Sequence, residues 1–351
     1  MKIYFYAPNR IEPWDYRNVF DIGIGGSETS HVEMALRLKA RGHEVYSYTD
    51  LPADCSDKEF GGVHWRHLDE ATFNNDGIWI VYRDPSFGKT HPELTSWLIC
   101  QDVFYPNWSS EGFKYIFGLC PRHIADILAR DPACKDKLLM TSNGINVEEI
   151  EKLGQYSHER NLKRLVWTSS PDRGLKELLD IFEKAVDIDS ELTLDIYYGM
   201  DNINKICGGD QQKLPWKDSW DQYYRSFKIP GVTWRGRIGQ KQLRKEIYTS
   251  GMWCYPTWFC ETSCISCMEA QACGAIPITN PIWATRYNVR HGVFIEGSPN
   301  EPLMILRYVQ AIVRLANNPQ LQARIRNEMM PESRARLSWE RFVDQWESLL
   351  C

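Results

Sequence analysis

At 351 residues the chain has room for about two domains of ~150 residues, each with its own core, and one small module is excluded. Hydrophobic residues make up 43% and charged residues 25%, which excludes a disordered chain or a fibrous rod. Lys and Arg number 41 against 46 Asp and Glu, so the net charge of −5 supplies no general basic field, and a nucleic-acid partner is not indicated.

No run approaches the ~18 consecutive apolar residues of a membrane span, and the apolar start at 3–7 is too short for a secretion signal. A soluble, cytoplasmic protein is expected. Eleven cysteines without framework spacing in a long chain favour reduced, mostly buried thiols over disulfides.

In chain order, short runs apolar on both faces recur at 3–7, 45–48, 78–82, 97–100, 115–119 and 138–141, as in parallel strands covered by helices on both sides. Between the first two, residues 28–40 place Val32, Ala35, Leu36 and Lys39 at helical spacing, with Ser27 available as a cap and Gly42 beyond the end. After Asn143-Gly144-Ile145-Asn146 the stretch 148–164, with Gly154, Ser157 and His158, is polar. The domain boundary is expected there, giving domains at 1–147 and 160–337.

The alternation then restarts. Residues 165–168 read as a strand, and Leu175, Leu178, Leu179, Phe182, Ala185 and Val186 as a helix stripe. Further short strands are predicted at 192–198, 232–234, 252–255, 276–279 and 293–295. Residues 201–228, with Gly208-Gly209, Pro215 and five aromatics, read as an insertion or mobile loop. The last segment, 338–350, is an amphipathic helix whose Phe342, Trp346, Leu349 and Leu350 need a partner surface. No internal repeat is present. The predicted class is α/β, with two doubly wound, Rossmann-like domains facing each other, and the cleft between them is the expected site.

Three segments carry candidate chemistry. Asp21-Ile22-Gly23-Ile24-Gly25-Gly26-Ser27-Glu28 lies between the first strand and its helix, where backbone N–H groups and the helix dipole favour an anion. It matches neither G-x-G-x-x-G nor a P-loop, and a glycine turn before a helix is also common without any ligand. Ser169-Ser170-Pro171-Asp172-Arg173-Gly174-Leu175 places an arginine fork where a strand gives way to a helix, suited to a phosphate or simply to a neighbouring acid. In the segment from Phe259 to Ile278, Glu261 opens a helix, Glu269 lies two turns inside it, and Gly274 stops it before an apolar strand. Both carboxylates suit sugar hydroxyls, and Thr262 and Ser263 would present N–H groups to a phosphate. Solvated helix acids are the plainer alternative, but Glu269 stands among Ile265, Met268, Ala270 and Ala272.

With these residues in place the chain resembles a retaining glycosyltransferase of family four, with the GT-B fold. The resemblance rests on the Glu-x7-Glu motif of Glu261 and Glu269 followed by Ala270-Gln271-Ala272-Cys273-Gly274-Ala275-Ile276-Pro277-Ile278. It is supported by Gly25-Gly26, by Ser142-Asn143-Gly144-Ile145-Asn146, by Arg173-Gly174 and by Trp234-Arg235-Gly236-Arg237-Ile238, and it spans nearly the whole chain. It implies a nucleotide-sugar donor of UDP type, no cofactor and no metal. Glu269 would bind the ribose, Glu261 the transferred sugar, Arg173 the diphosphate, Gly25 and Gly26 the donor from the other side, and Arg237 and Ile238 the base. The C-terminal helix, 338–351, would return to the first domain. The implied reaction is glycosyl transfer to a hydroxyl acceptor (glycan, lipid or small molecule) with retention, the departing phosphate helping to deprotonate the acceptor.

The chain departs from that pattern in three places. Cys100-Gln101-Asp102 puts Gln101 where many relatives carry histidine, which leaves Asp102 to orient the acceptor. Ser169 and Ser170 stand where many carry arginine, so Ser170 and Lys241 are the further phosphate candidates. Thr262-Ser263-Cys264 replaces a frequent Gly-Phe-Gly, which leaves the donor sugar open.

Competing readings are fewer in their support. Cys264 and Cys267, with Cys254, Cys260 and Cys273 nearby, lack the paired loops of a zinc site, and His64 and His67 read as isolated surface histidines. The aromatics Trp14, Tyr16, Trp97, Tyr105, Trp108, Trp216, Trp220, Tyr223 and Tyr224 are mostly packing. With Arg10, Arg17 or Lys114 they would also suit hydroxymethylated DNA as acceptor, as in viral glycosyltransferases. A nucleotide-sugar or glycan binding module without turnover is the alternative outside the enzyme class.

Overall fold

The computed structural model describes residues 1–8, 14–52, 55, 58–155, 159–213 and 216–350. Of the residues named above, Arg10, Ser157, His158 and Pro215 lie outside the described residues. The chain divides into two compact units: Met1–Gly144 with Ser338–Cys351, and Ile145–Leu337.

The first unit is built on an eight-stranded sheet of β1 (Lys2–Ala7), β2 (Glu44–Thr49), β3 (Lys58–Phe60), β4 (Val63–His67), β5 (Gly77–Tyr82), β6 (Ser96–Ile99), β7 (Phe113–Gly118) and β8 (Leu138–Met140), in the order β3-β4-β2-β1-β5-β6-β7-β8. Every pairing is parallel except β3 with β4. Central strands are apolar on both faces: Ile3, Phe5, Trp79, Ile80 and Val81 are all buried. The edge strand β3 and its neighbour β4 escape sequence reading because β3 is only three residues long and Val63-His64-Trp65-Arg66-His67 alternates apolar with polar residues. His64 and His67 are therefore half-buried strand residues, and His64 stacks on Tyr46 at 4.8 Å.

The helix Gly26–Ala40 follows β1 and starts two residues earlier than expected. Its N-cap is Gly25, with no side-chain cap, in place of Ser27. Val32 and Ala35 are buried as the periodicity requires, but Lys39 is only half-buried, and Met34 and Leu38 complete the inward face. The helix Trp339–Leu350 belongs to this unit. Trp346 is buried 5.8 Å from the Phe117 ring and 6.3 Å from Trp97, and its Nε1 donates to Thr141 Oγ1 at 3.1 Å. Arg41, on the far end of the 26–40 helix turn, meets Glu340, Asp344 and Glu347 on the same helix. Val343, not Phe342, is the second inward residue.

The second unit is a six-stranded parallel sheet of β9 (Asn161–Trp167), β10 (Thr193–Ile196), β11 (Val232–Trp234), β12 (Ser250–Tyr255), β13 (Ile276–Thr279) and β14 (Val293–Phe294). Its order is β11-β10-β9-β12-β13-β14, the doubly wound order in which the winding reverses between β9 and β12. The unit starts at Ile145, ahead of the expected 160: the stretch read as a linker holds a helix, Val147–Gly154, and the start of β9. Asn146 caps that helix by accepting from Glu149 N at 3.2 Å, and Ile150 is buried under it, which a count of charges cannot show.

Residues 201–228 are not a mobile loop. They include the helices Asp201–Ile206 and Trp216–Ser226. Arg225 pairs with Asp180 and Glu183 on the helix Leu175–Ile188, and Tyr223 meets Trp234 edge-on at 4.9 Å. Of its aromatics Tyr223 joins the segment to β11, while Tyr224 and Phe227 are exposed. Ten cysteines are described, none of them in a disulfide and nine of them buried. No helix among the described residues is long and apolar enough to cross a membrane.

Candidate functional site

Open parallel sheets bind ligands beyond the carboxyl ends of their strands, where the winding reverses. In the second unit that point lies between β9 and β12, and the loops leaving these strands carry Arg173 and Glu261. Residues Pro171–Arg173 form a single tight turn, and Gly174 follows at φ +121°. A Cβ there would strike the carbonyl oxygen of Pro256, so only glycine lets the turn press against the loop after β12.

That approach brings the two side chains together. Arg173 Nη1 donates to Glu261 Oε1 at 3.1 Å, and the buried Tyr255 hydroxyl donates to the same oxygen at 2.6 Å. The guanidinium also lies 4.3 Å from the Phe259 ring centroid. Burial opposes a charge on Arg173, but the facing Glu261 carboxylate outweighs it, and the arginine stays protonated with its pKa raised. Burial and the Glu261 charge raise the Tyr255 phenol well above its usual range, so it stays a hydrogen-bond donor. Glu261 is nearly buried, whereas the Arg173 side chain is 36% exposed.

The second acid of the motif is placed differently. Glu269 sits inside the helix Ile265–Cys273, and its Oε1 accepts from Arg244 Nε at 2.8 Å, with both side chains under 5% exposed. Arg244 comes from the helix Gln240–Tyr248, and its Nη2 donates to Gln240 Oε1. The apolar surroundings of Glu269 did signal a group with a purpose, but its partner was hidden in Lys241-Gln242-Leu243-Arg244-Lys245-Glu246, which reads as a solvated face.

Thr262 and Ser263 are buried in the turn before that helix, which begins at Ile265 with Cys264 as N-cap, later than expected. The Cys264 N–H is taken by Asn288 Oδ1 at 3.1 Å. Gly274 closes the helix in the left-handed conformation at φ +90°. Ser170 is half-buried and its carbonyl accepts from Arg173 N at 3.1 Å. Arg237 and Ile238 are half-buried in the loop after β11, Arg237 close to Gly199 after β10, and Lys241 is exposed on the first turn of the 240–248 helix. The thiols of Cys254, Cys267 and Cys273 are buried and shifted upward by burial, so they are un-ionised packing groups.

In the first unit the winding reverses between β1 and β5. Gly25 and Gly26 are exposed at the N-terminus of the 26–40 helix. A Cβ at Gly25 would collide with Glu28 Oε2, so this carboxylate folds back over the helix end. Arg83, the first residue after β5, has the left-handed backbone φ of +63°, uncommon outside glycine. Its Nε donates to Asp102 Oδ2 at 2.6 Å and its Nη1 faces Glu28 Oε1 at 3.4 Å. Burial lowers the tendency of Arg83 to hold its proton, and the charges of Asp102 and Glu28 reverse that, so its pKa is raised.

Asp102 is positioned by its backbone. The N–H groups of Gln101 and Asp102 both donate to the Tyr105 hydroxyl, at 2.8 and 3.0 Å. The His123 Nδ1 accepts from Leu119 N, so its Nε2 carries the proton and donates to the Asp102 carbonyl at 3.1 Å. Gln101 pairs amide to amide with Asn143, at 3.2 and 3.4 Å. Sequence reasoning found Asp102 and Gln101, read Glu28 only as the end of the glycine loop, and missed Arg83. The available signal was Arg83-Asp84-Pro85 directly after an apolar strand. Of the cations weighed for a polymer acceptor, Arg17 is tied to Asp15 at 2.8 Å, and Lys114 lies over the Tyr115 ring.

No protein-family model matches the chain, and no curated protein matches it in sequence. Solved structures do. Sucrose-phosphate synthase from Thermosynechococcus elongatus is 14% identical, with a TM-score of 0.72 over 99% of this chain and 98% of that one. The Anabaena protein HepE, in a complex with UDP-glucose, is 13% identical, with a TM-score of 0.70 over 99% of each chain. A glycosyltransferase from Rickettsia africae ESF-5 is 12% identical, with a TM-score of 0.66 over 99% of this chain and 97% of that one.

The fold is GT-B. Each Rossmann-like unit of this GT-B chain carries one arginine and its carboxylates at the point where its winding reverses.

Proposed function

We propose that the chain is a retaining glycosyltransferase that moves a sugar from a nucleoside-diphosphate sugar of UDP type to a hydroxyl acceptor, without metal or cofactor. The observation that carries this reading is the Arg173–Glu261 pair at the reversal point of the second unit, a charged guanidinium still partly open to solvent beside a fixed carboxylate. Support comes from the similar GT-B structures, among them HepE with UDP-glucose.

In this reading the bond from the anomeric carbon to the diphosphate oxygen breaks, and the charge left on the diphosphate is met by Arg173, with Ser170 and Lys241 as further phosphate contacts. Stabilising that developing charge in a partly water-excluded place is the main source of rate. The acceptor oxygen bonds to the same face of the anomeric carbon, and its proton passes to the departing phosphate oxygen. Glu261, one oxygen fixed by Tyr255 and Arg173, accepts from a hydroxyl of the transferred sugar beside Thr262, Ser263 and Cys264. Glu269 serves the ribose, Arg237 and Ile238 the base, and Gly25 and Gly26 approach the donor from the first unit. Asp102 orients the acceptor hydroxyl with Gln101 beside it. A cytoplasmic location suits a nucleotide-sugar substrate.

The test is calorimetric titration with UDP, followed by UDP release from UDP-glucose, UDP-galactose and UDP-N-acetylglucosamine. Binding in the micromolar range with release that depends on Arg173 is expected. UDP binding without release for any donor would make the chain a binding module, and no binding of UDP, GDP or ADP would sink the proposal.

A further inference from the structure

A cavity of about 300 Å³ opens in the first unit at the reversal between β1 and β5, walled by Ala7, Glu28, Tyr82, Arg83, Asp102 and Phe104. Its volume is at the small end of ligand cavities, about 300–1,000 Å³, which suits one ring rather than a nucleotide. Its chemistry divides into three parts.

The first is charge. Among the described lining residues Arg83 is the one permanent cation, and it is shared by Asp102 and Glu28. Within this trio one guanidinium faces two carboxylates, a formal charge of −1 for the three side chains. The N-terminus of the 26–40 helix, which would otherwise attract an anion, carries Glu28 Oε2 over Gly25. A phosphate entering here meets two carboxylates and a cation already engaged. Carboxylates accept hydrogen bonds from hydroxyls, and the Asp102 side chain is 41% exposed to do so.

The second is an apolar platform. Phe104, two residues beyond Asp102, is 74% exposed at the mouth, where its ring can cover the C–H face of a sugar. The third is polar demand in the wall: Trp14 Nε1 and His31 Nδ1, both buried, have no hydrogen-bond partner. His31 Nε2 is already engaged by Ser47 Oγ at 2.7 Å.

We infer that this cavity takes an uncharged saccharide ring as the acceptor and discriminates against its phosphorylated counterpart. The inference rests on the glycosyl-transfer reading for its role, but the binding chemistry belongs to the first unit alone. Selection works by repulsion as much as by attraction, since the carboxylates that hold the hydroxyls also repel a phosphate.

The experiment has two arms. In the first, saturation-transfer NMR is recorded with methyl glucoside, methyl galactoside, glucose 6-phosphate and glycerol on the whole chain without donor. Saturation transfer to a methyl glycoside, absent for glycerol and at least 10-fold weaker for the sugar phosphate, is expected. In the second, UDP release from UDP-glucose is followed with the same acceptors. A neutral saccharide should accelerate release at least 10-fold over water, and Phe104→Ala should raise its KM about 10-fold. The double variant Glu28→Gln, Asp102→Asn should narrow the preference for neutral over phosphorylated sugar about 10-fold. A phosphorylated sugar that binds or reacts better than its neutral counterpart overturns the inference, as does glycerol matching the saccharides. So does UDP binding with no saccharide binding at all. Failure of UDP to bind while the methyl glycosides still bind sinks the transfer reading and leaves the cavity's saccharide chemistry standing.

Discussion

The two units place arginines against carboxylates in opposite proportions. In the second, Glu261 has Arg173 and Glu269 has Arg244, one cation for each acid. In the first, Arg83 serves both Glu28 and Asp102. A balanced set beside a half-open guanidinium can meet the extra negative charge of a diphosphate, whereas an acid-rich set repels it and holds hydroxyls. The same sheet architecture thus presents two chemistries, set by how many acids share a cation.

The balanced side breaks most severely at its deepest pair. Arg244→Ala would take the guanidinium away from the buried Glu269 carboxylate, a loss of about 3–5 kcal/mol in urea unfolding. If Arg244→Ala unfolds at the wild-type urea concentration, the pair is not holding the second unit together. Next comes the exposed arginine: Arg173→Ala should lower kcat for sugar transfer about 10²–10³-fold with little change in the unfolding midpoint. An equal loss in stability and activity would place Arg173 with the structural pairs.

Smaller effects sharpen the contrast. Tyr255→Phe removes a hydrogen bond to a charged acceptor and should cost about 1.5–3 kcal/mol in transfer or stability, with more of it in kcat than in the KM for donor. On the acid-rich side Arg83→Ala should cost only about 1 kcal/mol in acceptor kcat/KM, because its ion pairs are part-exposed. A hundredfold loss would mean that Arg83 touches substrate.

The pH dependence of stability distinguishes the units as well. His31 and His123, both in the first unit, are kept neutral by burial, with pKa values lowered from 6.5 to about 3 and about 4. A histidine whose folded pKa lies below its unfolded value contributes fully above pH 6.5 and loses that contribution as pH falls toward the folded value. Between pH 7 and 5.5 each should remove roughly 1 kcal/mol, read as a falling urea midpoint. Tryptophan and hydrogen-exchange probes in the first unit should report the loss before those in the second.

Much of the fold was legible because the central strands are continuous apolar runs: β1 and β5 cover the runs at 3–7 and 78–82. Arg173, Gly174, Glu261, Glu269 and Asp102 were legible as residue types at meaningful positions. Their partners were not. Arg244 lies 25 residues before Glu269, Arg83 lies 55 after Glu28, and nothing in the local pattern around either arginine marks it as paired. The polar stretch 148–164 and the aromatic stretch 201–228 misled for the same reason, since Ile150 is buried and Tyr223 meets Trp234 through contacts that no local pattern shows.

Sequence alone determined the alternation of strand and helix and the glycine-closed turn at Arg173, because periodicity and backbone sterics act over a few residues. Which carboxylates share a cation, and therefore which unit can receive a negatively charged group, was decided only when the sheets assembled. Charge is felt through space, and the chain brings these groups within about 3 Å only by folding.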